Sequence, residues 1–465
     1  IMKKRWLAFA AACVMAFSLA GCVGGNAGTD NGEEAQEMHP LNGTAYGPYV
    51  LSAAEFPVQA PYPNEEDFFD ENGTWRDKDY NDAYDAWAAD QLNVTLTEDE
   101  AAAVPEFFAR TAQVFLPEEE ENFVYSPVNV WLALSMLAEV TDGETRAQIL
   151  EVLGAEDIET LRTAAADIWD TTYRDDGVVS DILANSLWLS DTMTYRQDTL
   201  DLLAENYHAS AFSGTPGDPA YDAALQAWLN DMTRGLLEEQ ASGVTMDPSI
   251  VLALASTIYY KANWSSQFYE PANTEETFHA AGADQTAVFM HNVEYMPYYE
   301  GDGFRAAGMN LMDRSTMWFF LPDEGSDART LLADGTAAGF LLSGGADGTA
   351  RLDFSVPKFD VEADLDLVPG MRALGMTDVF DPSAADYSPL TDAADEIALS
   401  SAEHAARVKI DEEGVEAAAF TVMMTGATSV IEDEPIDFTV DRPFVFMITS
   451  PDNVVLFAGL VNTLE

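Results

Sequence analysis

The chain has 465 residues, 48% of them hydrophobic, which is enough for a substantial core in one large domain or two medium ones. Its 81 acidic residues against 21 Lys and Arg give a formal net charge of −60, which argues against nucleic acid or an anionic membrane surface as a partner, because both would repel it. Such a charge suits a highly soluble protein in an extracytoplasmic or saline setting.

Lys3, Lys4 and Arg5 precede the apolar run WLAFAAACVMAFSLA, and Leu-Ala-Gly-Cys ends at Cys22. A basic start, a short apolar run and a small-residue cleavage site form the order of a secretory signal over residues 1–21; the run is short for a bilayer-spanning helix. The Leu-Ala-Gly-Cys box resembles the processing site of bacterial lipoproteins, which implies a chain lipid-anchored at Cys22, extracytoplasmic, and meeting a membrane only through that anchor. Cys13 falls in the removed segment, so the mature chain is expected to have no disulfide. Residues 22–63 are rich in Gly, Asn, Ala, Glu and Pro without a sustained period and read as a flexible tether. The acidic stretch 64–97 carries Phe68, Phe69, Trp75, Tyr80, Tyr84 and Trp87, aromatics enough to predict partial order and a short helix near 79–89.

Thr97, followed by Glu98, Asp99 and Glu100, predicts a capped helix over 97–115. Ser126 and Pro127 open an almost wholly apolar helical run to Val140, which predicts a helix buried on most faces. A turn and helix at 141–153, a strand over 181–190, helices near 197–210 and 219–238, and a strand over 251–264 follow. The last third reads as strands at 316–322, 350–365, 400–411, 436–450 and 453–461. Helices early and strands late point to an α+β domain around a large sheet, spanning 98–465.

Little here suggests catalysis. His39, His208, His279, His291 and His404 show no ligand-pair spacing, there is no Gly-rich phosphate loop or G-x-S-x-G elbow, and acidic pairs are too common to single out a dyad. No cofactor, metal site or enzymatic activity is expected. His404 shares a strand face with Ala402, Ala406 and Val408, the position of a hydrogen-bonded core histidine.

The stretch EEGVEAAAFTVMMTGATS, 412–429, departs from its surroundings: after Glu416 no charge appears until Glu432. One alternating set is Val415, Ala417, Ala419, Thr421, Met423 and Thr425; the other is Glu416, Ala418, Phe420, Val422, Met424 and Gly426. No proline interrupts it, so each amide could join a ladder. A loop built only for solvent would not avoid charge in this way.

NFVYSPVNVWLALSMLAEVTDGETRAQI, ILANSLWL, IYYKANWSSQFYEPANTEETFH, VPKFDVEADLDL, VKIDEEGVEAAAFT and FTVDRPFVFMI occur in one order over 98–465, and together they resemble the serpins, the suicide-substrate inhibitors of serine proteases. The resemblance implies about nine helices, three β-sheets and an exposed reactive-centre loop whose N-terminal part inserts into the largest sheet once cut. It implies a hinge at Glu412, Glu413, Gly414, Val415, Glu416, Ala417, Ala418 and Ala419, with Val415 replacing the more frequent Thr or Ser. Gly414 is expected to ease a turn there. Counting the usual loop length from Glu412 places the reactive bond between Thr428 and Ser429, with Ala427–Thr428 the nearest alternative. Small uncharged residues there imply an elastase-like or subtilisin-like target, whereas a trypsin-like one would need Lys or Arg. Ser126, Asn129, Asn185 and His404 match the polar cluster beneath the sheet, with Asn129 where a second serine is usual, and Trp264 matches the tryptophan where insertion begins. A monomer is expected. The alternative is a non-inhibitory serpin serving as a binding or chaperone-like module.

Overall fold

The computed structural model describes residues 43–70, 73–90, 94–116, 121–346, 348–393, 397–415 and 434–464. Its helices are α1 (Asp77–Asp90), α2 (Glu98–Phe115), α3 (Pro127–Glu139), α4 (Gly143–Leu153), α5 (Ile158–Thr172), α6 (Gln197–Tyr207), α7 (Pro219–Met232), α8 (Glu238–Ser242), α9 (Arg329–Ala333), α10 (Thr336–Leu342) and α11 (Val368–Ala373). The strands begin with β1 (Val50–Ser52), β2 (Phe123–Tyr125), β3 (Arg174–Asp175), β4 (Val179–Ser190), β5 (Ala209–Gly214), β6 (Leu252–Asn263), β7 (Thr274–His279) and β8 (Asp284–Glu300). They continue with β9 (Phe304–Asn310), β10 (Thr316–Pro322), β11 (Thr349–Pro357), β12 (Phe359–Asp366), β13 (Ala402–Ile410), β14 (Gly414–Val415), β15 (Ile436–Thr439), β16 (Phe444–Thr449) and β17 (Val455–Val461).

Local chemistry sets the helix ends. Thr97 Oγ1 accepts from Glu100 N while the Glu100 carboxylate accepts from Thr97 N at 2.7 Å, the reciprocal cap read from the sequence. Ser126 caps α3 and Pro127 stands at its first position, where a missing N–H costs nothing. Every residue of α3 is buried, because the helix lies inside the domain and touches β6 and β17.

One eight-stranded sheet runs β1-β5-β4-β6-β14-β13-β12, with β3 beside β4. All twelve residues of β4 are buried: α5 packs against the strand, and α7 packs over Trp188 and Phe212 through Tyr221 and Trp228. The other sheet runs β15-β11-β8-β9-β10-β16-β17-β2, with β7 beside β8. Three sheets were expected, but hydrogen bonding joins two of them, because β8 pairs with β11 from Phe289 to Pro297 and then with β9 from Tyr298 to Glu300. About nine helices become eleven among the described residues, through short ones such as α8 and α9 and through α1 in the N-terminal extension.

The expected tether of 22–63 is corrected at its C-terminal end. Tyr46 is buried and donates to Asp231 Oδ2 at 3.0 Å, β1 forms the sheet edge on β5, and Phe56 sits among Trp169, Tyr173 and His208. Single aromatic anchors, rather than a periodic stripe, hold this segment, so periodicity cannot reveal it. The helix expected near 79–89 is α1, pinned by Trp87 Nε1 donating to Asp176 Oδ2 at 2.8 Å. The signal peptide, Cys22 and the start of the tether lie outside the described residues.

Tyr46→Ala removes a buried ring and leaves Asp231 without its phenol donor. It should destabilise the fold by roughly 3 kcal/mol, seen as a lower thermal midpoint; an unchanged midpoint would restore the tether reading.

Candidate functional site

The expected polar cluster assembles at the middle of the eight-stranded sheet. Asn185 of β4 and His404 of β13 are both register partners of Ser256 on β6, so the three side chains form one row across three strands. The N-terminus of α3 lies beneath this row. His404 Nε2 accepts from Ser126 N at 3.0 Å, and Ser126 Oγ accepts from Asn129 N at 3.3 Å. Ser256 Oγ donates to Asn185 Oδ1 at 2.6 Å and also contacts Asn129 Oδ1, while Asn185 Nδ2 reaches Tyr207 O at 3.4 Å.

Ser256 is the residue sequence reasoning missed. Its signal was a serine beside Thr257 in a half-buried, alanine-rich stretch of β6, which becomes informative only once the register sets it between Asn185 and His404. The cluster is partly satisfied. One hydroxyl hydrogen serves one carboxamide oxygen at a time, and Asn129 Nδ2 and His404 Nδ1 have no hydrogen-bond partner among the described residues. A cavity of about 20 Å³, lined by Val130, Leu134, Leu254, Met371 and Leu399, adjoins His404.

The expected hinge lies at the other end of the same strands. Gly414 and Val415 form β14, antiparallel to β6 through Asn263 and Ala262 and to β13 through Ile410. Gly414 is required for a reason other than turning. A Cβ there would lie 2.2 Å from Ala262 O and 2.7 Å from Asn263 Cα, so close backbone approach excludes a side chain. Trp264, 2% exposed, clasps the turn: its N donates to Glu413 O at 2.9 Å and its Nε1 to Asp411 O at 2.8 Å. Asp411 Oδ1 in turn accepts from Glu413 N at 2.8 Å.

The two hinge glutamates differ. Burial would push the Glu412 carboxyl up, but the Lys358 ammonium and the Asn273 amide, both bonded to it, hold it below the usual range. Burial beside Asp411 and Glu412 pushes Glu413 up. Lys358, Asn273 and Asp411 went unremarked in the sequence because ordinary polar residues declare a role only through contact. Glu416, Ala417, Ala418, Ala419, Thr428 and Ser429 lie outside the described residues.

Burial holds the His404 imidazole down to about 4 from 6.5. Protonation would also remove the Nε2 acceptor of Ser126 N. The group binds a proton more readily unfolded than folded, so its stability contribution is complete above pH 6.5 and is lost as pH falls from 6.5 toward 4. The full loss is about 3 kcal/mol. Thermal midpoints should therefore fall over that window, and His404→Gln should remove that component of the slope; an identical slope in the variant would exclude His404 as its source.

Known proteins place this arrangement. The family model described as Serpin (serine protease inhibitor) matches residues 103–464. Serpin-ZX of Arabidopsis thaliana is 26% identical over 360 residues, covering 74% of this chain and 92% of the relative. The native state of the thermophilic serpin tengpin aligns with a TM-score of 0.70 at 24% identity, covering 80% of this chain and 96% of tengpin. Human thyroxine-binding globulin complexed with thyroxine aligns at 0.69 and 20% identity, covering 79% and 99%.

Proposed function

The chain belongs to the serpin family, and we propose that it is a suicide-substrate inhibitor of an elastase-like or subtilisin-like serine protease. The family is one of inhibitors rather than catalysts. The target serine attacks the carbonyl of Thr428, breaking the bond to Ser429 and forming an acyl-enzyme. The freed loop then inserts and carries the acylated protease away, pulling its catalytic groups out of alignment before water completes hydrolysis.

The observation that carries this reading is β14. Gly414 pairs with Asn263, and Val415 pairs with Ala262 on one side and Ile410 on the other. Continuing that register sets Ala417 opposite Tyr260 and Val408, and Ala419 opposite Ile258 and Ala406. Thr421 then falls opposite both Ser256 and His404, in the polar row itself. Val415 is buried, and alternation puts Ala417, Ala419 and Thr421 on its face. The uncharged, mostly small side chains are those this buried path would accept. The driving force is the strand pairing and burial missing from the uncut form, so the native state is kinetically held.

Incubation of the domain with an elastase and a subtilisin should give a gel-stable adduct and release a peptide beginning at Ser429. Ala419→Glu places a charge on the inserting face and should shift the outcome from adduct to cleaved inhibitor, with at least about tenfold less adduct. Cleavage without an adduct from any serine protease would favour the binding or chaperone-like reading.

The same proposal places the chain outside the cytoplasm, held through a lipid on Cys22. The full chain made in a bacterial host should enter the detergent phase and Cys22→Ala the aqueous phase; equal partitioning would remove the anchor.

A further inference from the structure

The N-terminal extension contains a feature that loop insertion does not use. Between residues 64 and 90 there are ten Asp and Glu against Arg76 and Lys78, and the aromatic rings there touch in a continuous run. Phe69 contacts Trp75 at 5.2 Å between centroids, Trp75 contacts Tyr80 at 4.9 Å, Tyr80 stacks on Tyr84 at 6.3 Å, and Tyr84 contacts Trp87 at 5.2 Å. Tyr80, Tyr84 and Trp87 follow helical spacing along one stripe of α1.

This stripe is not simply a core face turned inward. Phe69 is 50% exposed and Tyr84 40%, although the surrounding carboxylates make the surface strongly polar. Rings amid carboxylates fit a guanidinium or ammonium, which is attracted to a ring face and to an anion together. The cluster already does this with the protein's own arginines: Arg76 lies 5.7 Å over the Phe68 ring, and Arg174 lies 5.3 Å over Trp87 while bonding Asp176 at 2.7 Å.

Position gives the surface its partner. Trp87 is fastened to Asp176, whose N donates to Val179 O at 3.1 Å. Val179 pairs with Ala262, and Ala262 pairs with Val415. Two strand spacings, about 10 Å, therefore separate the start of β4 from the hinge. The extension stands at the loop-bearing end of the sheet.

We propose that residues 64–70 and 73–90 form a docking surface for a cationic target protease, which binds basic side chains on the protease while the reactive loop occupies its active site. This rests on the inhibitory reading and adds the charge class of the target to it. The net charge of −60 steers such a partner from a distance, and the ring stripe holds it on contact.

The test measures association rate constants of the full chain with two serine proteases of matched cleavage preference, one basic and one acidic, over a NaCl series. The basic enzyme should be trapped faster at low salt, by about tenfold or more, and should lose that advantage at high salt. Phe69→Ala with Tyr84→Ala, and separately Asp82→Asn with Asp85→Asn, should slow the basic enzyme by about two- to fivefold. Neither pair should change the acidic enzyme's rate; the ring pair, whose side chains are half-buried in the aromatic run, should lower the thermal midpoint modestly, while the exposed Asp82 and Asp85 pair should leave it unchanged. Wild-type rates in both pairs would overturn the docking surface and leave inhibition standing. If nothing is trapped, binding of a basic protease with its catalytic serine replaced by alanine decides. Binding weakened by the variants keeps the surface while the trapping reading fails, and binding that ignores them overturns the surface.

Discussion

Everything in this molecule depends on how β6 and β13 are held together. They run parallel and pair directly only where Ala402, Glu403 and His404 meet Leu254, Ala255 and Ser256. At the other end two residues of the hinge stand between them. A sheet in which parallel neighbours diverge around a short third strand has unmet backbone pairing within it, and backbone groups are costly to leave unpaired when buried. The polar row at Ser256 closes one end and the Trp264 clasp governs the other.

The row is built from side chains whose hydrogen bonds are incompletely met, and this fits its place. A fully satisfied network would resist separation, whereas an apolar contact would give no directional register. Asn129 illustrates the balance. Its longer side chain reaches Ser256 from α3, joining helix and sheet, yet leaves its own amide nitrogen unpartnered. The depressed basicity of His404 has the same origin, for the ring sits in an apolar setting and gives its one acceptor nitrogen to the α3 N-terminus.

Much of the fold was legible because long apolar periods and caps are local signals. The strand at 316–322 matches β10, and the helix expected over 97–115 is α2 with its cap. Sequence named the members of the polar cluster but not Ser256, since a single serine in a strand has no meaning until register supplies its neighbours. It named Gly414 for turning, while the backbone of β6 supplies the actual constraint. It passed over α5, although Leu161, Ala164, Ala165, Ile168, Trp169 and Thr172 recur there at helical spacing, and over the long β8, whose alternation of exposure breaks between Phe289 and Asn292. It took residues 43–63 for a tether because two or three aromatic anchors leave no repeating trace.

That last segment also bears on how the molecule carries mechanical load. β1 lies lengthwise on the outer edge of the sheet, with Tyr46 locked to α7 just before it and Trp87 fastened beyond it. Force applied at residue 43 would meet the Tyr46 and β1 attachments before it reached the rest of the sheet. Between that edge and the hinge stand β5, β4 and β6. The N-terminal attachments therefore lie on the outer margin of the sheet, and Gly414 and Val415 lie inside it, so the two are separate parts of one structure.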